Sequence, residues 1–194
     1  MKVIGLTGSI ASGKTQVTDL LRSKGAFVIC ADELSREAVL PGMEGYRSIV
    51  ETFGREFLNA DGTLDRRKLA GHVFHDDAAR TKLEQILHPI IKKAVIEKLT
   101  ASGERIAVVS APLLIEAGWG DWMDELWLVV AEDGQRLQRL MKRDGLSEKD
   151  AKARMKAQMP QEEKKKHAHV LIDNSGRIED TLNLADRLWK RINL

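Results

Sequence analysis

A glycine-rich octapeptide near the N-terminus, residues 8–15 (GSIASGKT), constrains this chain more than any other feature. It has the pattern G-x-x-x-x-G-K-[ST] and lies between an apolar run, residues 3–6, and a segment of helical character, residues 16–21. A strand, a loop and a helix in this order form a phosphate-binding loop, because glycines let backbone N–H groups converge on phosphate oxygens. The helix start adds further N–H donors and the positive end of the helix dipole. We therefore expect the chain to bind a nucleoside triphosphate.

The residue types within the loop predict how a triphosphate is held. We expect the Lys14 ammonium group to reach the β- and γ-phosphates and the Thr15 hydroxyl to hold Mg²⁺. A Gly/Ser-rich turn that binds nothing is the alternative, but the complete pattern in its strand–loop–helix setting favours phosphate binding. The residues expected to bind the nucleotide are Gly8, Ala11, Ser12, Gly13, Lys14, Thr15 and Gln16.

The composition limits the classes of protein and of partner. The 194 residues fit one domain, or a core domain with an insertion. The 31 basic and 29 acidic residues give a formal charge of +2, which does not support a nucleic-acid or membrane partner held by bulk electrostatics. The single cysteine, Cys30, allows no internal disulfide. Since we also find no signal peptide and no apolar run of membrane-spanning length, we expect a cytoplasmic protein. The sequence does not indicate an oligomeric state.

Four later apolar runs are similar to the first predicted strand. None of them alternates polar with apolar residues, so both faces of each strand should be covered. Helical patterns separate the runs, which predicts a three-layer α/β fold with a parallel sheet between helices. The four runs are residues 26–30, 106–110, 126–130 and 170–172.

A long excursion separates the second run from the third. Residues 31–105 are far more than one crossover helix needs, so they predict a helical insertion that forms one wall of a substrate cleft. We expect Pro89 to start or bend a helix within it. The helical patterns of this excursion cover residues 46–50, 68–74 and 78–99.

A second excursion, residues 134–168, lies between the fourth and fifth runs. It contains two or three predicted helices, one of which begins with the capping-box-like pair Ser147 and Asp150. Two excursions beside a phosphate loop suggest a kinase with a substrate domain and a lid.

Asp32 is a candidate for a catalytic group. It follows directly after the second predicted strand, and ligands bind at the carboxyl ends of the strands in open α/β sheets. A carboxylate there can accept a proton from an attacking hydroxyl group or hold Mg²⁺ through water. The alternative is that Asp32 caps the helix predicted from residue 33, a role that aspartate favours. Position alone leaves both interpretations open.

Three arginines form a row on one face of a predicted helix. Arg136, Arg139 and Arg143 have the spacing i, i+3, i+7. Beside a triphosphate, such a row can clamp the phosphates and neutralise the charge that develops on the transferred group. A solvated basic face is the alternative meaning of the same pattern.

The histidine pair at 72 and 75, the lysine run and the tryptophans are not interpreted as functional sites. No cysteine or carboxylate grouping accompanies His72 and His75 in the sequence, so we do not expect a zinc site. The three lysines at 164–166 are interpreted as a solvated helix face, and the four tryptophans as packing residues. No aspartate of the Walker B type follows the third predicted strand, so Mg²⁺ would depend on Thr15, water and Asp32.

An ordered set of motifs extends along the chain. It comprises residues 4–15, 31–32, 62–69, 73–74, 83–89, 111–116, 139–144, 158 and 172–176. The most specific members are the His88-Pro89 segment, the run 112–116 (PLLIE) and the run 172–174 (IDN). The phosphate loop alone is common to many families, but the whole set resembles the dephospho-coenzyme A kinase family over essentially the full length of the chain.

The resemblance implies ATP-dependent phosphorylation of the ribose 3′-hydroxyl of dephospho-coenzyme A, the final step of coenzyme A synthesis. It implies a phosphate-loop kinase core with a five-stranded parallel sheet, formed by residues 1–31, 105–133 and 169–194. It further implies a helical coenzyme A-binding insertion, residues 32–104, and a helical lid, residues 134–168.

The resemblance also implies roles for individual residues. Asp32 matches the family's catalytic aspartate, and Arg139 and Arg143 match lid arginines, so that together with Lys14 they form the predicted catalytic set. His88 lies in the insertion that forms the acceptor side, and we expect it to bind the substrate together with Asp32.

The chain departs from the family's pattern in four places, at Cys30, at Ser9 and Ala11 of the loop, at Arg136 and at Thr15, and two alternative functions remain. Cys30 stands where the family often has an aspartate, so a second carboxylate is not essential here, and Arg136 stands where glutamine is common, which leaves its role open. A nucleoside, nucleotide or sugar kinase could use the same core. An ATP-binding regulatory protein that transfers no phosphate is less well supported, because a switch needs no acceptor cleft.

Overall fold

The computed structural model describes residues 1–193 of the chain, and a five-stranded parallel sheet lies at its centre. The strands are β1 (Lys2–Gly8), β2 (Phe27–Cys30), β3 (Ile106–Ser110), β4 (Glu125–Val130) and β5 (Val170–Asp173). Their order in the sheet is β2-β3-β1-β4-β5. In the central strand, Val3 pairs with Ala107 of β3 and Gly5 pairs with Leu126 of β4. The α/β fold with a five-stranded parallel sheet is therefore confirmed.

Helices connect the strands. They are α1 (Lys14–Ser23), α2 (Ala31–Ala38), α3 (Glu44–Phe53), α4 (Arg66–His75), α5 (Asp77–Ser102), α6 (Asp133–Asp144), α7 (Glu148–Lys156), α8 (Gln161–Lys165) and α9 (Ile178–Ile192). Ser147 caps α7 as predicted, since its Oγ accepts a hydrogen bond from the Asp150 N–H at 3.2 Å. Among the helices of residues 1–193, none combines the length and the apolar character needed to cross a membrane.

The three inner strands, β1, β3 and β4, are buried on both faces. The expectation that both faces of every strand are covered is wrong for β5, which lies at the edge of the sheet and has Leu171 exposed. All residues of β1 after Lys2, and all residues of β4 after Glu125, are buried. Helices α1 and α9 contact each other, and their apolar side chains join those of the strands in one core. This core includes Ile4, Leu6, Val17, Leu21, Val108, Trp127, Ile172, Ala185 and Trp189.

The chain divides into two compact units: residues 1–29 with 103 onward, and residues 30–102. The first unit contains the sheet. In the second, α5 contacts α2, α3 and α4, and these helices bury a core of their own that includes Ile49, Leu69 and Val73. Helices α3, α4 and α5 confirm the three helical patterns predicted there. The functional division into a substrate-binding insertion and a lid remains a prediction.

Pro89 lies inside α5, where the sequence led us to expect the start or a bend of a helix. The proline cannot donate a hydrogen bond to the carbonyl of Gln85, four residues earlier. Both residues are exposed, so water can hydrogen-bond to this carbonyl on the outer side of the helix. Buried residues of α5 lie on both sides of the proline in the chain, Ala79 before it and Ile91 after it. Pro89 therefore does not start a helix, and α5 runs unbroken from Asp77 to Ser102.

The interpretation of residues 164–166 as a solvated face is wrong for Lys164. This side chain is fully buried, and its Nζ donates to Glu116 Oε1 and to the Pro112 carbonyl, both at 2.8 Å. Burial lowers the pKa of Lys164, while the carboxylate of Glu116 acts in the opposite direction. Lys165 and Lys166 instead pair with glutamates on the outer side of α8. The buried pair thus joins α8 to the segment that follows β3.

We expect replacement of Lys164 by methionine to lower the free energy of unfolding by about 3 kcal/mol, because it leaves a largely buried carboxylate without its cation. Denaturant unfolding of the full chain measures this change. The matched control is Lys165→Met, which removes a pair with the exposed carboxylate of Glu162 and should cost less than about 1 kcal/mol. Equal losses in the two variants would contradict a structural role for the buried pair.

Candidate active site

The phosphate loop has the backbone conformation that its glycine pattern predicts. β1 ends at Gly8 and α1 begins at Lys14. Gly13 precedes the helix with φ of 97°, and Ala11 also has positive φ, at 60°. The Ser12 N–H donates to the Ser9 carbonyl at 3.0 Å, which closes the turn. The Gln16 N–H donates to the Gly13 carbonyl at 3.1 Å, and the N-terminus of α1, at the end of the loop, is the kind of helix start that binds anions.

Two glycines of the loop are required by their surroundings. A Cβ atom at Gly8 would lie 2.5 Å from Ser12 Oγ and 2.9 Å from the Val129 carbonyl oxygen. A Cβ atom at Gly13 would lie 2.0 Å from Asn174 Nδ2, at a φ value that favours glycine in any case. The loop therefore packs closely against β4 and against the residue that follows β5.

Asn174 holds the loop from the carboxyl edge of the sheet. It follows β5 directly, and its buried side chain donates from Nδ2 to the Ser12 carbonyl at 2.9 Å. Its Oδ1 accepts from Thr181 Oγ1 at 3.1 Å, so the amide is fixed at both ends. Sequence reasoning recognised this residue only as part of a motif. A polar residue directly after an apolar strand was the signal that could have identified it.

Lys14 lies against the end of β3. Its Nζ donates to Ser110 Oγ at 2.8 Å, and Ser110 is the last residue of that strand and fully buried. Thr18 Oγ1 lies 3.2 Å from the same hydroxyl and also donates to the Lys14 carbonyl at 3.0 Å. This network places the ammonium group at the carboxyl edge of the sheet, beside the phosphate loop.

Arg139 also joins this edge. Its Nη2 donates to the Asn174 carbonyl at 3.0 Å and to Gln135 Oε1 at 3.3 Å. Its Nη1 is buried, and no hydrogen-bond acceptor for it exists in the described part of the chain. Within residues 1–193, the buried hydroxyl groups of Ser9 and Ser12 likewise lack hydrogen-bond partners. Such polar groups suit a site that receives a polar, anionic ligand.

The other two arginines of the predicted row differ from Arg139. Arg136 is only 4% exposed, and its Nε donates to the Ile10 carbonyl of the phosphate loop at 3.2 Å. Burial lowers the pKa of Arg136, and its pair with Asp133 acts against this effect. Arg143, in contrast, forms a two-point pair with Asp144 at 2.7 and 3.0 Å, which raises the pKa of its guanidinium. The three arginines therefore do not form one solvated face.

In the second unit, Asp32 lies in the first turn of α2. The residue before this helix is Cys30, and no side chain caps it, so the interpretation of Asp32 as a helix cap is wrong. Asp32 is exposed, and it lies close enough to Arg66 for its negative charge to raise the pKa of that guanidinium. Partial burial and the nearby charge of Arg36 lower the pKa of Arg66 more strongly. One carboxylate and two guanidinium groups thus form a charged cluster.

His88 lies in the middle of α5 and is half-buried. The structure of the second unit therefore places it on a helix different from those of the charged cluster formed by Asp32, Arg36 and Arg66. Its contact with the substrate remains a prediction.

Thr15 is the candidate Mg²⁺ ligand of the loop. It lies in the first turn of α1 with an exposed side chain, and a hydroxyl oxygen is a ligand of the hard type that Mg²⁺ prefers. In residues 1–193 there is no group of three or more histidine, cysteine, aspartate or glutamate side chains that could hold a metal ion. The donor set therefore fits an ion that takes most of its ligands from phosphate oxygens and water.

The comparisons with known proteins agree with this geometry. The family model described as dephospho-CoA kinase matches residues 2–180. The dephospho-CoA kinase of Geobacter sulfurreducens is 45% identical over 194 residues, with 98% of each chain covered.

Two solved structures are similar over almost the whole chain. A Thermus thermophilus protein has a TM-score of 0.82 at 35% identity, with 98% of this chain and 97% of that chain covered. A dephospho-CoA kinase from Campylobacter jejuni has a TM-score of 0.71 at 28% identity, with coverage of 99% and 98%. The chain belongs to the dephospho-CoA kinase family.

Proposed function

We propose that this chain transfers the γ-phosphoryl group of ATP to the ribose 3′-hydroxyl of dephospho-coenzyme A and so produces coenzyme A in the final step of its synthesis. The proposal rests on the arrangement of side chains around the phosphate loop. Lys14 and Arg139 are fixed there by Ser110 and Asn174. The proposal is also supported by the match of residues 2–180 to the dephospho-CoA kinase family.

The donor side is formed by the first unit. The loop amides and Lys14 bind the β- and γ-phosphates, and the buried Nη1 of Arg139 provides a donor for the charge that develops during transfer. Thr15 holds Mg²⁺, which neutralises charge on the phosphate oxygens when it is bound. Arg143 contributes positive charge from the last turn of α6, where Asp144 orients its guanidinium.

The acceptor side is formed by the second unit. Asp32 accepts the proton of the ribose 3′-hydroxyl as the ribose 3′-oxygen forms a bond to the γ-phosphorus. The bond between that phosphorus and the β–γ bridging oxygen breaks, and ADP is released. Arg36 and Arg66 supply positive charge beside Asp32, which suits an acceptor that carries a diphosphate group. His88 lies on the acceptor-binding insertion, residues 32–104, and residues 134–168 act as a lid. The reaction takes place in the cytoplasm.

The test measures ADP release from Mg·ATP by the full chain with and without dephospho-coenzyme A, and mass spectrometry of the acceptor. We expect strong stimulation, a gain of one phosphoryl group and loss of activity when Mg²⁺ is chelated. Stimulation by a nucleoside or a sugar instead would support the alternative kinase. ATP binding without transfer to any acceptor would support the regulatory alternative.

A further inference from the structure

Two side chains from outside the phosphate loop bind the backbone of Ile10, at the outer turn of the loop. Gln158 Oε1, in the segment between α7 and α8, accepts from the Ile10 N–H at 2.8 Å. Arg136 Nε, on α6, donates to the Ile10 carbonyl at 3.2 Å. We propose that Arg136 and Gln158 are positioning residues. They fix the two peptide planes on either side of Ile10 and thereby orient the N–H groups of the loop for binding the phosphates. The proposal rests on the proposed function, since it concerns the same nucleotide site.

The bond from Gln158 orients the peptide between Ser9 and Ile10. In a trans peptide, the N–H and C=O groups point in opposite directions. When Gln158 holds the Ile10 N–H outward, the Ser9 carbonyl must point toward the interior of the loop. There it accepts from the Ser12 N–H at 3.0 Å. The closing hydrogen bond of the loop therefore depends on a residue almost 150 positions away.

The bond from Arg136 orients the next peptide, between Ile10 and Ala11. Because Arg136 holds the Ile10 carbonyl outward, the Ala11 N–H is directed to the opposite side, where the loop surrounds its ligand. Ala11 has φ of 60°, a left-handed conformation that residues with a Cβ adopt at a free-energy cost. Without Arg136, the backbone at Ala11 could relax toward a more common conformation, and its N–H would turn away from the phosphates.

The Arg136 side chain is itself fixed, and the backbone next to Gln158 is held as well. Arg136 is 4% exposed, and its Nη1 donates to Asp133 Oδ1 at 2.7 Å. Next to Gln158, the Met159 N–H donates to Glu116 Oε1 at 3.2 Å, and the same oxygen pairs with the buried Lys164. Arg136 is therefore ordered by its own contacts, and the segment that carries Gln158 is anchored beside the phosphate loop, as positioning groups require.

The variants Arg136→Met and Gln158→Met keep the size and unbranched shape of the side chains but remove the donor or the acceptor. We expect each variant to raise the Kd for Mg·ADP about five-fold, because the loss of one ordinary hydrogen bond changes an equilibrium constant by about this factor. The KM for ATP should rise by a similar factor, while the KM for dephospho-coenzyme A should not change. The control is Lys190→Met on α9, which removes an exposed cation that pairs with Asp186 and should change none of these values.

A readout that a merely structural role would not move is amide hydrogen exchange of the full chain, followed by NMR. Gln158→Met should speed exchange at Ile10 and also at Ser12, which Gln158 does not touch, while amides of α9 keep their rates. Unchanged Mg·ADP affinity in both folded variants, or unchanged exchange at Ser12, would overturn the proposal. So would an equal rise of both KM values. If the wild-type chain did not bind Mg·ADP at all, the proposed function would fail instead.

Discussion

Replacement of Asp32 by asparagine is expected to lower kcat about 10²-fold or more, the usual effect of removing a general base. Asparagine has nearly the same shape and can still hydrogen-bond to the ribose hydroxyl, but it cannot accept the proton at neutral pH. Because Asp32 is exposed and caps no helix, the substitution should not disturb folding. Mg·ADP affinity should be retained, since the loop amides and Lys14 supply the phosphate contacts.

The matched control for this variant is Glu37→Gln, which neutralises another exposed carboxylate of α2. Its kcat should equal that of the wild-type chain. Steady-state kinetics with dephospho-coenzyme A, together with calorimetry of Mg·ADP binding, separates the two expectations. Near-normal turnover of Asp32→Asn would remove Asp32 from the mechanism. Loss of nucleotide binding in the same variant would indicate a role in donor binding.

The features that could be predicted from the sequence are those determined locally. The five strands contain continuous apolar runs, which are typical of parallel strands, although only the three inner strands are buried on both faces. The phosphate loop is contiguous, so its pattern alone indicates the strand, the turn and the helix that form it. Ser147 caps α7 through a residue only three positions later. In each case the signal lies within a few consecutive residues, although the strands themselves pair with segments about 100 residues away.

The features that the sequence did not reveal depend on partners far along the chain. Lys164 looks like its two lysine neighbours, but its burial follows from contacts with Glu116 and Pro112, about 50 residues away. The helical spacing that groups Arg136 with the other two arginines does not show that its own side chain turns toward Ile10. These contacts follow from the packing of elements that are distant in sequence.

The site was predictable only in part for the same reason. Lys14 and Arg139 were recognised as candidates, but Ser110 and Asn174, which fix them, were not assigned roles. Both lie at the carboxyl ends of strands, and ligands bind at this edge of the sheet in open α/β folds. Polar residues directly at or after apolar strands, such as Ser110 and Asn174, are therefore a local signal of this edge.

Replacement of Lys14 by alanine should have the largest effect on the donor side. We expect kcat/KM for ATP to fall about 10³-fold, because the ammonium group is held at the phosphate loop by Ser110 and a fixed positive charge there stabilises the charge that develops during transfer. Affinity for Mg·ADP should fall as well, in contrast to the Asp32 variant. Folding should be preserved, since the buried hydroxyl of Ser110 keeps its contact with Thr18 Oγ1 at 3.2 Å.

The matched control is Lys24→Ala, which removes a lysine from the opposite end of α1, where it pairs with Asp186 at 3.0 Å. It removes the same charge from the residue directly after the same helix, so an unchanged kcat/KM would assign the effect of Lys14→Ala to position rather than to net charge. If Lys14→Ala retained both ATP affinity and turnover, the assignment of residues 8–15 as the phosphate loop would be wrong. If both lysine variants lost activity equally, the effect would come from the overall field of the protein, and the contact between Lys14 and Ser110 would have no catalytic meaning.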